Sequence, residues 1–258
     1  HLILDGKIAA ERGKAPNKKK FTLKYGSPEK TVEGGVNGKQ ILTQIDISNP
    51  EQPKVAKIDY VTNQETINYT IDAVHVANDA IYFSMTISNG KNNLTENVHF
   101  LDRDIEVAGQ KGGHYLLKTD RRLKEVKWVK KLPQSIVVNF ITHSGKWLYV
   151  AGDYDKKITW GTTTLLNEIK ADNLAFWGTA SIADGTLGQA QFVQAGYAEN
   201  VGIAVAGDLV LWQFDHRLAG SPNMGAQGTK DILFGDGKQY ATEDDLSDED
   251  ETWVMQKG

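Results

Sequence analysis

Apolar and polar residues alternate along most of this chain, with the period of a half-buried strand rather than of a helix. Ala80-Ile81-Tyr82-Phe83-Ser84-Met85-Thr86-Ile87 and Trp147-Leu148-Tyr149-Val150-Ala151-Gly152 set the pattern, both rich in β-branched and aromatic residues. Turn formers separate such runs: Ser88-Asn89-Gly90, Gly112-Gly113, His143-Ser144-Gly145, Asp184-Gly185 and Asp236-Gly237. One segment, Leu165 to Phe176, is long enough for a helix, but Asp172-Asn173 interrupts it and no apolar stripe runs through it. Two strands around a turn are expected there, and an all-β chain throughout.

The order of the runs recurs. Residues 137-193 read WLYVAGDY, KKITWGTTTLL and DNLAFWGTASIADGTLGQAQF; residues 70-136 read AIYFSMTI, NVHFLDRDIEVAG and GHYLLKTDRRLKEVKWVKKL. Leu116 and Leu117 align with Leu174 and Ala175, and Asp120 with Asp184. Residues 194-258 offer GIAVAGDLVLW, DILFGDGKQY and ETWVMQKG; residues 1-69 offer HLILDGKI, KKFTLKYG and QILTQIDISNPEQPKVAKI. A short antiparallel meander cannot bury both faces alone, so four copies must stack on one another. The expectation is a single domain over 1-258, a β-propeller of about four antiparallel meander repeats (1-69, 70-136, 137-193 and 194-258). The segment at His1 would complete the last sheet and close the ring. A two-sheet β-sandwich is the alternative; it explains the alternation but not the recurring order.

The strand Leu148-Tyr149-Val150-Ala151-Gly152, then Ile158-Thr159-Trp160-Gly161, then Asp172-Asn173-Leu174-Ala175-Phe176-Trp177 and the turn Asp184-Gly185 resemble the seven-bladed-propeller-like repeats of bacterial exported proteins. The adjoining unit keeps Tyr115-Leu116-Leu117-Lys118-Thr119-Asp120 and Trp128, and the last keeps Ala204-Val205-Ala206-Gly207. The resemblance covers about residues 70-193. It implies a secreted, periplasmic or cell-surface module for adhesion, assembly or protein binding, with no catalytic residue to carry over.

Composition narrows the chemistry. The 258 residues carry a net charge of −4 with no cysteine, which removes disulfides, thiol catalysis and Cys-ligated zinc. That balance argues against nucleic acid as a partner, despite the basic block from Lys111 to Lys131. The apolar runs are far shorter than the ~20 residues that cross a bilayer, so no membrane insertion is expected. The chain opens at His1 without a basic, apolar leader, so a processed or excised piece is expected. Six histidines (His1, His75, His99, His114, His143 and His216) show no close zinc-type spacing. Neither a phosphate loop nor a serine nucleophile elbow occurs, so no enzyme is expected.

Two binding chemistries remain. Asp153 and Asp155, or Asp244, Asp245, Asp248 and Asp250, offer hard oxygens of the kind calcium takes, without the loop of an EF-hand. Trp147, Trp160, Trp177 and Trp212 lie near strand ends, where an indole face could stack on a sugar ring; packing between sheets is the competing use of the same residues. A protein partner or a surface glycan is therefore the expected ligand, and a carbohydrate-active enzyme the remotest reading.

Overall fold

A computed structural model describes residues 2–7, 20–23, 30–33, 40–46, 48–49, 51–52, 54–60, 68–88, 93–94, 96–168, 171–194, 197–207, 209–217, 232–234, 239–241 and 251–256. Every regular element among them is a strand, and every strand pairing is antiparallel where its register is defined. Leu165 to Phe176 is, as expected, the end of one strand and the start of another, because the Asp-Asn pair leaves no continuous apolar stripe to bury.

The strands of successive stretches of the chain follow a similar order. In the second copy, β6 (Asn68–Val76), β7 (Ala80–Ser88), β10 (Gly112–Asp120) and β11 (Val126–Lys131) form one sheet, and a small hairpin, β8 (Val98–Phe100) and β9 (Arg103–Ile105), is inserted after the second strand. The third copy repeats this plan. Its strands are β12 (Ile136–Ser144), β13 (Trp147–Tyr154), β16 (Leu174–Ser181) and β17 (Leu187–Gln194), with the hairpin β14 (Ile158–Trp160) and β15 (Thr163–Leu165) in the same place; its sheet has six strands, because two short strands from later in the chain pair on beyond β17. The last copy has β18 (Tyr197–Ala206), β19 (Leu209–Arg217) and β22 (Glu251–Gln256); the hairpin β20 (Ile232–Phe234) and β21 (Gln239–Ala241), which falls after its second strand in the chain, pairs with β17 and extends the preceding sheet. The first has β1 (Leu2–Lys7), the hairpin β2 (Lys20–Leu23) and β3 (Lys30–Glu33), then β4 (Gln40–Asp46) and β5 (Lys54–Tyr60).

Ring closure is not observed. The first strand, β1, pairs with β4 and the last, β22, pairs with β19, each inside its own sheet, so His1-side residues do not complete the last sheet. Among the described strands no sheet closes on itself. The alignment of Asp120 with Asp184 is also displaced: Asp120 ends β10 and accepts the Arg122 N–H, as Ser181 ends β16 and accepts the Ala183 N–H. Asp184 sits farther round the turn, capping Thr186.

The chain forms two compact units, His1–Ile71 with Thr86–Gly113 and Leu123–Val126, and Asp72–Met85 with His114–Arg122 and Lys127–Gly258. In the first, Leu94, Val98, Phe100, Ile105 and Val107 are buried around the β8–β9 hairpin, and Asn97 accepts the Val107 and Ala108 N–H groups. In the second, three sheets lie face to face. Leu148, Val150, Leu174 and Phe176 on one face of the β12–β17 sheet pack against Ala80, Tyr82, Leu116 and Trp128 of the preceding copy. Tyr149, Ala151, Ala175 and Trp177 on its other face pack against Ala198, Val210, Trp212 and Phe214 of the following copy. Strand alternation thus feeds two cores at once, which an amphipathic strand with one wet face could not do.

The inserted hairpin closes over this sheet through Trp160, which lies on the backbone of Gly178 and donates its indole N–H to the Thr179 carbonyl at 3.0 Å. A Cβ at position 178 would stand 2.7 Å from Trp160 Nε1. Gly178→Ala should therefore cost about 1–3 kcal/mol by overpacking, read as a lowered midpoint in urea unfolding; an unchanged midpoint would remove the indole from this position.

Candidate functional site

The tryptophans divide sharply. Trp160 and Trp212 have no exposed surface and Trp177 is buried beside Tyr149, the ring centroids 6.2 Å apart. Their faces are covered by protein, so the expected sugar platform at Trp160, Trp177 and Trp212 gives way to packing between sheets. Trp147 alone is half-buried, at the start of β13, with Lys146 Nζ 5.4 Å from the ring centroid.

Asp153 and Asp155 are not brought together as a metal site. Asp153 lies at the junction of two sheets, where Asn139 Nδ2 donates to one carboxylate oxygen at 2.6 Å and the Asn200 backbone N–H to the other at 3.0 Å. Asn200 Nδ2 also reaches that oxygen, at 3.1 Å, and the Gly152 carbonyl, while the Trp212 indole N–H donates to Asn200 Oδ1. Asp155 is exposed in the turn after β13, where Asn167 Nδ2 binds its carbonyl, beside an open depression lined also by Lys156, Lys157 and Asp172. Among the described residues no three His, Cys, Asp or Glu side chains gather as metal ligands. Asp244, Asp245, Asp248 and Asp250 lie outside the described residues.

Two β-bulges build this junction. The pairing of β12 with β13 slips at Asn139, and that of β18 with β19 slips at Val201, the same distance before the turn glycines Gly145 and Gly207, both in the left-handed region (φ 56° and 58°). A bulge re-aims a side chain, and here it turns Asn139 onto Asp153 and leaves Asn200 directed at the neighbouring sheet. Asn173 adds a second tie: its carbonyl accepts the Ala198 N–H at 3.0 Å and its Nδ2 donates to the Ala198 carbonyl at 2.8 Å.

Burial pushes the Asp153 carboxyl above the ordinary carboxylate range, against the lowering effect of its hydrogen bonds from Asn200 and Asn139, and the Glu199 charge pushes it the same way. A folded-state pKa above the unfolded one means stability that is present in acid and lost as the pH rises through the folded value. The stability of the wild type relative to Asp153→Asn should thus fall as the pH rises above the ordinary carboxylate range; a constant difference would contradict the burial. Asn200→Ala should cost about 2–4 kcal/mol, since it strands the Trp212 donor and Asp153 together; equilibrium unfolding in urea measures it.

Two further arrangements were invisible in the spacing of residues. His75 on β6 and His143 on β12, far apart in the chain, meet with His75 Nε2 2.7 Å from His143 Nδ1. Burial, and then the neighbouring His143, lowers the His75 pKa. His99 pairs with Asp104 across the β8–β9 hairpin at 2.8 Å. His114 is held below its ordinary pKa by burial alone.

The third arrangement is an open apolar face. The second strands of the three copies align as Ala80-Ile81-Tyr82-Phe83, Trp147-Leu148-Tyr149-Val150 and Leu209-Val210-Leu211-Trp212. In each, alternate residues face the preceding and the following sheet. Tyr82 (1% exposed) and Tyr149 (4%) are buried under the sheet that follows; Leu211, in the equivalent place, is 39% exposed and Leu209 47%. Exposed Ala204 and Ala206 stand opposite them in β18, and Val201 projects from the bulge. The alternation was legible; that no described sheet covers this face was not. No protein-family model, curated protein or solved structure matches the chain.

Proposed function

We propose that this protein is a non-catalytic scaffold of propeller-type blades that binds protein through the open face of its last sheet. The observation that carries the reading is the 39% exposure of Leu211 at the repeat position where Tyr82 and Tyr149 are buried, with Leu209, two residues before it on the same face, 47% exposed. An apolar strip that the fold elsewhere covers with the next sheet fits one kind of partner best, another antiparallel sheet of the same build.

Support for blades comes from the similar strand order of the second and third stretches, each with a separate hairpin after its second strand, and from the face-to-face packing of the sheets of the second, third and last stretches. Within the larger unit three sheets lie face to face, which supports a run of blades. Exported or cell-surface placement goes with the resemblance to bacterial propeller-like repeats and belongs to the same proposal. A glycan-binding role is disfavoured by the burial of three of the four indoles it relied on.

With no other sheet in solution, a second copy of the chain supplies one. Self-association that strengthens with protein concentration is expected in sedimentation equilibrium. The double variant Leu209→Lys, Leu211→Lys should weaken it at least tenfold while leaving the unfolding midpoint nearly unchanged, because both side chains are already exposed. A wild-type chain that stays monomeric at high concentration, or association indifferent to the two lysines, would overturn the reading.

A further inference from the structure

Hydrogen bonds tie the seam between the second and third sheets at two margins. On one, the Lys118 ammonium and the Trp128 indole N–H both donate to the Ile182 carbonyl, at 3.1 and 3.2 Å. On the other, the edge strands β6 and β12 bring His75 Nε2 to 2.7 Å from His143 Nδ1, with the ring centroids 4.9 Å apart. One proton fits between nitrogens at that distance and two do not. The neutral pair has one facing N–H and one facing lone pair. A first added proton lands on the outer nitrogen of the donor ring and leaves the bridge in place, now charge-assisted. A second finds only the facing lone pair of the acceptor ring, whose outer nitrogen already carries a proton. It breaks the bridge and sets two cations side by side.

We propose that His75 and His143 form an acid-sensitive latch on this margin of the seam, closed until the pair takes up its second added proton and open once it does. Solvent reaches it through His143, which is exposed, while His75 is half-buried and stacks on Tyr82 with ring planes 26° apart and centroids 6.3 Å apart. Among the described residues, β10 adds Lys118, its Nζ 5.6 Å from the Tyr82 centroid, the β6–β7 turn adds Asp79, whose charge acts on Tyr82, and the β12–β13 turn adds Lys146, over Trp147. Asp72 falls on the other face of β6 by strand alternation. Tyr82 stays a phenol, its pKa pushed up to about 12 by burial and then by Asp79. Burial, and next His143, holds His75 below its ordinary range. Unfolded, the two rings accept one proton more than the latched pair does. Stability is therefore complete above the ordinary histidine range and is lost as the pH falls through it. The opposite margin, tied by Lys118 and Trp128, uses no histidine, so acid releases β6 from β12 first.

The test is nitrogen NMR of the full chain with isotope-labelled histidine. A nitrogen–nitrogen coupling through the hydrogen bond, between His75 Nε2 and His143 Nδ1, is expected at neutral pH; it should survive the first protonation and vanish with the second. In urea unfolding, the folded-to-unfolded ratio of the wild type relative to His75→Gln should fall by up to about tenfold per pH unit below about pH 6.5. His143→Gln, at an exposed position, separates the latch from the burial of His75: it should move the loss of stability to lower pH. Absence of the coupling in the wild type would overturn the latch. So would an acid profile identical in the wild type and His143→Gln, which burial of His75 alone would explain.

Discussion

A short antiparallel meander with apolar residues on both faces cannot satisfy itself, and the rest of this structure follows from that constraint. Each sheet in the larger unit has to be covered twice. The sheet of β12, β13, β16 and β17 achieves this by sending Leu148, Val150 and Phe176 one way and Tyr149, Ala151 and Trp177 the other. Stability of this kind resides in nearest-neighbour interfaces rather than in one central core, so whatever sits at the end of a stack is left with one face unsatisfied.

Polar groups decide how the layers meet. Hydrophobic stacking alone does not set a register between sheets, because flat apolar faces slide. The bulges at Asn139 and Val201, the Asp153 carboxylate and the buried Asn200 lock one sheet to the next through directed hydrogen bonds. Burying a carboxylate this way carries a desolvation cost, visible in the raised pKa of Asp153. The return is a fixed juxtaposition of sheets, which in turn fixes where Leu209 and Leu211 stand.

Much of this was readable from residue order. Strand period, turn glycines, the split of Leu165 to Phe176 and the recurring series of elements are local signals, and local signals survive without a structure. What escaped depended on distant partners. Whether an indole is a platform or a packing residue turns on which sheet covers it, and Trp160 is covered by Gly178 through a close approach that no spacing announces. His75 and His143 meet only because two repeats stack. Asp120 was matched to the wrong residue because an Asp-Gly turn draws the eye, whereas the equivalent of its capping side chain is the hydroxyl of Ser181. Closure through the first strand failed for a related reason: β1 has a nearer partner in β4.

The central claim is that the sheet of the third copy is sandwiched between two others, while among the described sheets none covers the face of the last copy that carries Leu209 and Leu211. Native-state hydrogen exchange, resolved strand by strand, tests this most directly. Amides of β13 and β16 should be the slowest in the larger unit, exchanging only on global unfolding, and those of β19 should exchange measurably sooner. Exchange from β13 as fast as from β19 would contradict the layered arrangement and the open face inferred from it.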